Sequence, residues 1–479
     1  MRMTRMTTIG FAAAAAATAA TIAVAGAQQQ RAETAAAPTF AKDVAPIIYG
    51  NCVTCHRPGQ AAPFSLLTYA DVVKHADNIH DATYNRYMPP WHAAKAEGFP
   101  EFQDERGLSD KDLNTLLTWI DAGTPSGDLS KAPKPPVFPS GWTLGTPDLV
   151  LTVPASVGVP ADGPDIYRNV MLPIDLPDDR WITAIDYEPT ARSVVHHALY
   201  FTSPSSVAVR DDEVVPGLGA AAAGLRGGLA GGGLGGGRAG RGAGVIGAAG
   251  EAWGGLGGWV PGSTPRFFPD RIAQPLPAHT NFVLQLHLHP SGKAEQERGR
   301  IAIYFAKTPP EKSMTGVQVP PAFGFGAGID IPAGESRYVV KDSFVLPVGV
   351  DAYGARGHAH YLCREMKMTA TLPDGSTRGL LWIKDWDFSW QDSYYFKTPF
   401  ALPKGTRIDT ELIYDNSDGN IRNPSSPPKR VKWGRESFDE MGSTTLLVTT
   451  ADQSATATLR AAQAQHLREQ VIARLRGGR

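Results

Sequence analysis

Five consecutive residues near the start of the chain, Cys52-Val53-Thr54-Cys55-His56, have the types and spacing that suit covalent haem attachment. Two thiols three residues apart on one helical turn reach the two vinyl groups of a haem, and the histidine that follows presents its imidazole to the iron. A redox dithiol or half of a zinc site would use the same spacing. A zinc site needs a second ligand pair nearby, however, and no further cysteine occurs until Cys363. The motif therefore predicts a c-type haem.

The second axial ligand of such a haem is expected some tens of residues downstream. Met88 is the candidate that we favour, because the prolines of Tyr87-Met88-Pro89-Pro90-Trp91 hold the chain extended and present the thioether. His75, His80 and His92 are rival ligands. Ligation by methionine favours a higher reduction potential than ligation by two histidines.

Six of the 12 histidines fall into three tight groups further along the chain: His196-His197, His287-Leu288-His289 and His358-Ala359-His360. A His-x-His on a strand places both rings on one face, which makes a two-ligand clip for copper or zinc. Adjacent histidines point to opposite faces, so the first pair can share a metal only at a bulge or a strand end. Three such groups in one stretch of chain predict metal binding.

The segments that carry these histidines are predicted to be strands. They are short, rich in residues that favour strands, and separated by proline and glycine, which is typical of all-β sandwiches. The clearest of them are residues 149–153, 181–187, 282–287, 300–305, 367–372 and 407–414.

The residues around the haem motif are instead predicted to be helical. Residues 108–120 form the clearest helix, with Ser109 as its N-cap and an end near Gly123. We therefore expect residues 38–128 to form a small all-α cytochrome c domain, followed by a stiff proline-rich linker over residues 129–142. The apolar face of the helix is predicted to consist of Leu113, Leu116, Leu117 and Ile120.

Composition and the chain start narrow the possible classes of protein. The 479 residues suffice for about three domains of roughly 150 residues, and a net charge of -1 argues against a nucleic-acid partner. Residues 1–27 have the features of a signal peptide: Arg2 and Arg5, an alanine-rich apolar stretch, and Ala25-Gly26-Ala27 as a cleavage site. A membrane anchor is the alternative, but the apolar run is short. We expect a soluble periplasmic protein without a membrane span after cleavage.

Two further segments stand apart from these domains. Residues 213–260 contain a glycine-rich, low-complexity insertion, which is predicted to be a loop. Trp253 and Trp259 could anchor its end, or the loop could cover a cleft. Residues 451–479 are predicted to be a helical tail packed on the body, with four apolar residues at helical spacing: Leu459, Leu467, Val471 and Leu475.

The set of histidine segments resembles the copper type II, ascorbate-dependent monooxygenases, the family of peptidylglycine α-hydroxylating monooxygenase and dopamine β-monooxygenase. The resemblance covers roughly residues 143–450 and rests on four segments in matching order. His196-His197 looks like the adjacent pair on that family's electron-transfer copper, and residues 283–287 resemble the strand whose His287 is the third ligand of the same copper.

The other two segments match the second copper of that family. His358 and His360, within residues 356–362, look like the histidine pair on the oxygen-binding copper. Met441, which follows Asp439-Glu440, looks like the methionine ligand of that copper. Two imidazoles and a soft thioether favour Cu(I) and leave a position open for dioxygen, whereas three imidazoles suit a copper that cycles between Cu(I) and Cu(II).

The resemblance implies both a fold and an activity. The fold is two jelly-roll-like β-sandwich domains, here residues 143–312 and 313–450, with one copper each and a solvent-filled cleft between them. The activity is a monooxygenase that hydroxylates a C–H bond of a small organic substrate with dioxygen. In this chain the electrons would come from a periplasmic donor through the fused haem, which would replace ascorbate.

Two more residues take a role from the resemblance. Gln285 lies two residues before His287, so it shares that strand face and could sit between the two copper sites, or it could be an ordinary edge glutamine. Arg356 matches an arginine that grips the substrate carboxylate in the peptide enzyme. Ser443 and Thr445 stand where that enzyme has asparagine and tyrosine, so a peptide substrate is not expected.

Some features leave alternatives open. His289 has no counterpart among the ligands and is expected to play an outer or surface role. Cys363 is the single cysteine outside the haem motif, so it forms no disulfide within the chain; it is either buried and inert or close enough to perturb the copper. A copper-binding or electron-transfer protein without catalysis is the main alternative function. A copper-dependent oxidase or reductase of a small molecule such as nitrite or peroxide is the third.

Overall fold

The computed structural model describes residues 37–138, 141–174, 176–204, 255–269, 271–434 and 436–477. The signal peptide expected at residues 1–27, and most of the insertion expected at residues 213–260 with Trp253, lie outside these ranges. Strands make up 36% of the structure and helices 18%, so the predicted β-rich fold is confirmed. No helix within the described ranges combines the length and the apolar character needed to cross a membrane.

Most helices precede the first strand. A π-helical turn at Phe40–Val44 leads into the first of four helices: α1 (Ala45–Asn51), α2 (Tyr69–Lys74), α3 (Ala76–Tyr84) and α4 (Asp110–Asp121). The hydroxyl of Ser109 accepts a hydrogen bond from the backbone N–H of Asp112 at 3.1 Å, which is the N-cap that the sequence predicts. A cytochrome c fold for this part of the chain stays a prediction.

The helices pack around a small apolar core. Leu116 and Trp119 of α4 are fully buried there, together with Phe40 and Ile48 from the first helical segment. Leu117 and Ile120 are only half-buried. The buried face of α4 is therefore rotated from the predicted one, because it follows residues three apart along the helix and includes the tryptophan.

Among the described residues, the first half of the β-rich part contains ten strands. They are β1 (Leu149–Thr152), β2 (Val157–Val159), β3 (Ile166–Pro173), β4 (Arg180–Glu188), β5 (Val195–Pro204), β6 (Gly255–Trp259), β7 (Ile272–Leu276), β8 (Thr280–Leu288), β9 (Glu295–Glu297) and β10 (Arg300–Phe305). Trp259 at the end of β6 is buried and contacts the ring of Tyr187 edge-on, with centroids 5.7 Å apart.

The second half contains ten more strands and ends in a long helix. They are β11 (Lys312–Val319), β12 (Asp330–Ile331), β13 (Tyr338–Val345), β14 (Val350–Ala359), β15 (Cys363–Thr371), β16 (Thr377–Ile383), β17 (Ser393–Leu402), β18 (Arg407–Tyr414), β19 (Val431–Lys432), β20 (Gly442–Thr450) and then α5 (Gln453–Gly477).

One large sheet runs through both halves. Its strand order is β1-β10-β4-β7-β11-β20-β14-β17, and the halves meet where β7 pairs with β11 in parallel. A four-stranded sheet, β3-β8-β5-β6, packs on the first half, and another, β13-β18-β15-β16, packs on the second. Each half therefore has its own apolar core between two layers. The jelly-roll type of these layers stays a prediction.

A segment of the helical part, between α3 and α4, attaches to the second half. Residues 93–103 run along β16 and β17, where the N–H of Ala94 donates to the carbonyl of Trp382 and the N–H of Gln103 to that of Tyr395, both at 2.7 Å. The helical part is thus held against the sheets by backbone hydrogen bonds before the proline-rich stretch begins.

The C-terminal helix packs on β11 and β20, as the apolar spacing of the tail predicts. Leu459 and Val471 are buried, whereas Leu475 is 55% exposed. The ring of His466 lies 2.9 Å from a carboxylate oxygen of Asp342, so an ion pair adds to the apolar contact.

Candidate metal centres

The first histidine cluster forms where β5 and β8 pair. The Nδ1 atoms of His196 and His287 lie 3.2 and 3.4 Å from the Nδ1 atom of His197. The β5–β8 register shifts between Val195 and His197, which is the bulge that adjacent histidines need in order to face one point. These three residues form a group that could hold a metal ion.

The electrostatics of this first cluster suit ligation. Burial lowers the pKa values of His196 and His197 well below the ordinary range. Burial also lowers the pKa of His287, although the neighbouring Asp165 works in the opposite direction. A neutral imidazole is the form that binds a metal, and the three Nδ1 atoms converge. Copper or zinc would suit such a set of donors.

A carboxylate that the sequence analysis missed lies behind this first cluster. Asp165 is 2.8 Å from Nε2 of His287 and 2.7 Å from Nδ1 of His289, whose side chain is 60% exposed. Burial would raise the pKa of Asp165, yet the hydrogen bonds from these histidines hold it below its usual range. His289 therefore lies outside the cluster as a partner of Asp165. No sequence motif marks Asp165, since it is distant from both histidines along the chain.

The second cluster lies at the end of β14 and the start of β20. Nε2 of His358 is 3.2 Å from Sδ of Met441, and the rings of His358 and His360 have centroids 5.6 Å apart. Nδ1 of His358 contacts Oε1 of Gln391 at 2.6 Å, and Nδ1 of His360 contacts the carbonyl of Asp439 at 3.1 Å. The Nε2 atoms are thus left for a ligand. Burial lowers the pKa of His358 to about 4 and that of His360 to about 3.

Glu440 connects the two sides of this second cluster. Its carboxylate accepts hydrogen bonds from the backbone N–H groups of His360 at 2.7 Å, Met441 at 2.8 Å and Leu362 at 3.0 Å. Burial raises the pKa of Glu440 to about 8, whereas these donors favour its ionised form. One buried side chain therefore fixes the histidine strand relative to the methionine loop.

Phe388 separates the two clusters, and no sequence pattern pointed to it. Its ring centroid lies 4.9 Å from that of His196, 5.5 Å from that of His287 and 5.6 Å from that of His360. The cavity beside it measures about 10 Å³, roughly the room for one water molecule. Gln285 lines this small cavity and donates to Oδ1 of Asn169 at 3.0 Å. Gln285 therefore lies between the clusters.

The haem motif borders a much larger cavity of about 680 Å³, a volume typical of ligand sites. Cys52, Cys55, His56 and Met88 all line it. Nδ1 of His56 lies 3.2 Å from the carbonyl of Phe64, a contact that fixes the ring and leaves Nε2 for an iron ligand. The residues present therefore fit a covalent haem with His56 as one axial ligand.

The rival histidines do not share this cavity with Met88 in the described structure. The ring of His75 stacks on that of Phe64 with centroids 3.9 Å apart. His80 is hydrogen-bonded to its neighbour Asp81, and burial lowers the pKa of His92, which lies near the loop of Phe388. Of the four candidates, Met88 lines the cavity, and its role as the second axial ligand stays a prediction.

Arginines surround the junction between the haem motif and the sheets. Burial raises the pKa of Cys55, and the charges of Arg106, Arg57 and Arg192 oppose this shift. The guanidinium of Arg106 donates to the carbonyl of Gly262 at 2.9 Å and pairs with a carboxylate of the second half. Positive charge at this place suits the carboxylates of a haem.

The same large cavity extends to both histidine clusters. His196, His197, His358 and Arg356 are among the residues that line it. Within the described ranges the guanidinium of Arg356 has no ion-pair partner, and burial lowers its pKa. Candidate metal ligands and Arg356 thus line the same cavity as the haem motif.

The remaining candidates lie nearby in the second half. Ser443 and Thr445 on β20 pair with His358 and Arg356 of β14, respectively. Cys363 is fully buried and lines neither cavity, and burial raises its pKa well above the usual value. A thiol in that state is unreactive, which agrees with the first of the two alternatives for this residue.

Comparisons with known proteins add little to this picture. No known protein-family model matches the chain, and no curated protein matches it. Among solved structures, the VP2 subviral particle of infectious bursal disease virus is 9% identical to this chain. The match covers 67% of this chain and 76% of the viral chain, with a TM-score of 0.19. The major capsid protein P2 of bacteriophage PM2 is also 9% identical. That match covers 57% of this chain and 99% of the capsid protein, with a TM-score of 0.21. At these scores the likeness carries no inference.

Proposed function

We propose that this protein is a periplasmic copper monooxygenase that hydroxylates a C–H bond of a small organic substrate with dioxygen, and that a fused c-type haem supplies the electrons. Two copper ions and one haem are the cofactors of this proposal. The resemblance to the copper type II monooxygenases supports the choice of metal. Because c-type haem is attached after export, an exported protein would also reach the compartment in which the attachment takes place.

One observation carries the proposal. A single cavity of about 680 Å³ is lined by Cys52, Cys55 and His56 and also by His196 and His358. Candidate haem ligands and candidate copper ligands therefore border the same space. Electron transfer between them would need no docking of a separate protein.

The side chains around the clusters have clear tasks in such a reaction. When bound, the haem supplies electrons and the coppers supply one-electron transfer and dioxygen chemistry. His56 and Met88 would hold the iron, and the bulge at His196 brings three imidazoles to one point. Phe388 and Gln285 restrict the room beside the clusters and so exclude bulk water. The balanced reaction converts R–H, dioxygen, two electrons and two protons into R–OH and water.

Metal analysis is the first test of the proposal. The full chain, produced with haem attachment and loaded with copper, should contain close to two copper ions and one haem. A Met441→Ile variant should lose copper from the second cluster while it keeps its haem. Met368→Ile is the matched control, because Met368 is a fully buried methionine of β15 that lines neither cavity. A chain that binds no copper would contradict the proposal.

Isotope labelling is the second test, and it separates the catalytic from the non-catalytic alternative. The reduced protein is exposed to ¹⁸O₂ in the presence of small-molecule extract from the producing cells. Label in one hydroxylated product, formed by the wild type but not by Met441→Ile, would support the monooxygenase. Full electron uptake without label in any product would support an electron-transfer or copper-binding protein instead.

A further inference from the structure

We propose that Asp165 is a positioning residue that orients His287 toward a metal ion and connects the first cluster to the loop that carries Met441. The inference rests on the proposed metal binding at the first cluster. It concerns a residue that neither the haem motif nor the copper-ligand pattern includes. Asp165 directly precedes β3, and β3 pairs with β8, the strand that carries His287.

The first part of the argument is the protonation of His287. Oδ2 of Asp165 lies 2.8 Å from Nε2 of His287, and the Asp165 side chain is only 10% exposed. A carboxylate only accepts hydrogen bonds, so Nε2 must carry the proton. The lone pair is then on Nδ1, the atom that faces His197 and the centre of the cluster. The other tautomer would point an N–H at the metal.

The second part is the orientation of the imidazole ring. Tyr167, two residues after Asp165, stacks on His287 with ring centroids 4.3 Å apart and an interplanar angle of 16°. The strands also pair Tyr167 directly with His287 in register. The carboxylate therefore fixes the edge of the ring while the tyrosine fixes its face. Outer partners of this kind typically change metal affinity 10- to 100-fold when they are removed.

The third part is a contact between the two halves of the β-rich structure. Ser437 is buried, and its hydroxyl lies 2.9 Å from Oδ2 of Asp165 and 2.5 Å from the hydroxyl of Tyr167. Ser437 is in the loop that leads to Met441. Both residues that hold His287 are therefore hydrogen-bonded to the chain segment that carries a ligand of the second cluster.

The test measures copper affinity at the first cluster alone. The full haem-loaded chain with His358→Ala, which removes a ligand of the second cluster, is titrated with Cu(I) in competition with a chelator. Adding Asp165→Ala should weaken binding 10- to 100-fold and change the Cu(II) electron paramagnetic resonance spectrum. Asp165→Asn, which keeps an acceptor oxygen for His287, should recover part of the affinity. Asp162→Ala, which removes an exposed carboxylate three residues before Asp165, is the control and should bind copper as the parent does.

The outcomes separate this inference from the proposed function. A parent chain that binds no copper overturns both. A parent that binds copper, with Asp165→Ala of equal affinity and unchanged spectrum, overturns only the role of Asp165. If Asp165→Ala does not fold, Ser437→Ala decides: it should alter the spectrum of the first cluster although Ser437 contacts no ligand of that cluster directly. An unchanged spectrum would refute the connection between the halves.

Discussion

The Glu440→Gln substitution tests whether one buried carboxylate assembles the second cluster. The carboxylate accepts N–H groups from both the strand of His360 and the loop of Met441. Glutamine has nearly the same shape but only one acceptor oxygen, and its NH₂ group is a donor. In the native protein the N–H of Leu362 donates to Oε2 of Glu440 at 3.0 Å. If the glutamine oxygen keeps the contacts to His360 and Met441, the NH₂ group must face this N–H.

The expected cost follows from these contacts. Above about pH 8, where Glu440 is ionised, a hydrogen bond to its charged carboxylate contributes about 1.5–3 kcal/mol, and the bond to Leu362 would be lost outright. The two remaining bonds would become neutral and weaker, so a total of about 3 kcal/mol is reasonable. Because the metal must restore the arrangement of His360 and Met441, this cost would appear as weaker binding. At about 1.4 kcal/mol per factor of ten, copper affinity at the second cluster should fall by up to about 100-fold.

The assay is a copper titration of the haem-loaded chain above about pH 8, where Glu440 is ionised, with X-ray absorption to follow the copper–sulfur contact of Met441. Glu440→Gln should weaken one of the two copper sites and reduce the sulfur signal. Asp439→Asn is the matched control, because it removes the same charge one residue away while its carbonyl still accepts from His360. Wild-type affinity in Glu440→Gln, or an equal loss in both variants, would refute the hydrogen-bonding argument.

Three further predictions concern other parts of the molecule. Asp342 raises the pKa of His466 above its ordinary value of 6.5, so the contribution of this pair to stability is full below about pH 6.5 and is lost as the pH rises through the folded-state pKa. His466→Gln should therefore flatten part of the fall in melting temperature as the pH rises above about 6.5. Met88→His should lower the haem reduction potential measured by spectroelectrochemistry, and an unchanged potential would reject Met88 as the ligand. Gly379→Ala should destabilise the protein by about 1–3 kcal/mol, because its Cβ would overlap the ring of Phe99; thermal unfolding measures this, and a wild-type melting curve would contradict it.

Local signals in the sequence predicted the local structure well. The strands at Arg300–Phe305 and Arg407–Tyr414 have the predicted bounds, because alternating or continuous apolar residues are flanked there by turn formers. Ser109 caps its helix as expected, since the cap depends on residues three positions apart. Trp119 was missed as a core residue, because the periodicity of a helix does not tell which edge of its apolar stripe faces the neighbouring elements.

The candidate site likewise contains residues that the sequence predicted and residues that it did not. The resemblance to the copper type II monooxygenases implied that His196, His197 and His287 share a site, and the structure brings these side chains together. Asp165 and Phe388 could not be predicted, because their roles arise from contacts between distant parts of the chain. Asp165 is 122 positions from His287, and no periodic pattern extends over such a separation.

The path of residues 93–103 has a consequence for the behaviour of the whole chain in solution. Strands β16 and β17, which this segment follows, are the outermost strands of two different sheets. An outermost strand offers free N–H and C=O groups to which another chain can add, which leads to aggregation. Here the backbone of residues 93–103 forms hydrogen bonds with part of both strands. A chain without the residues that precede β1 would expose these groups, so the segment over residues 93–103 also protects the sheets from self-association.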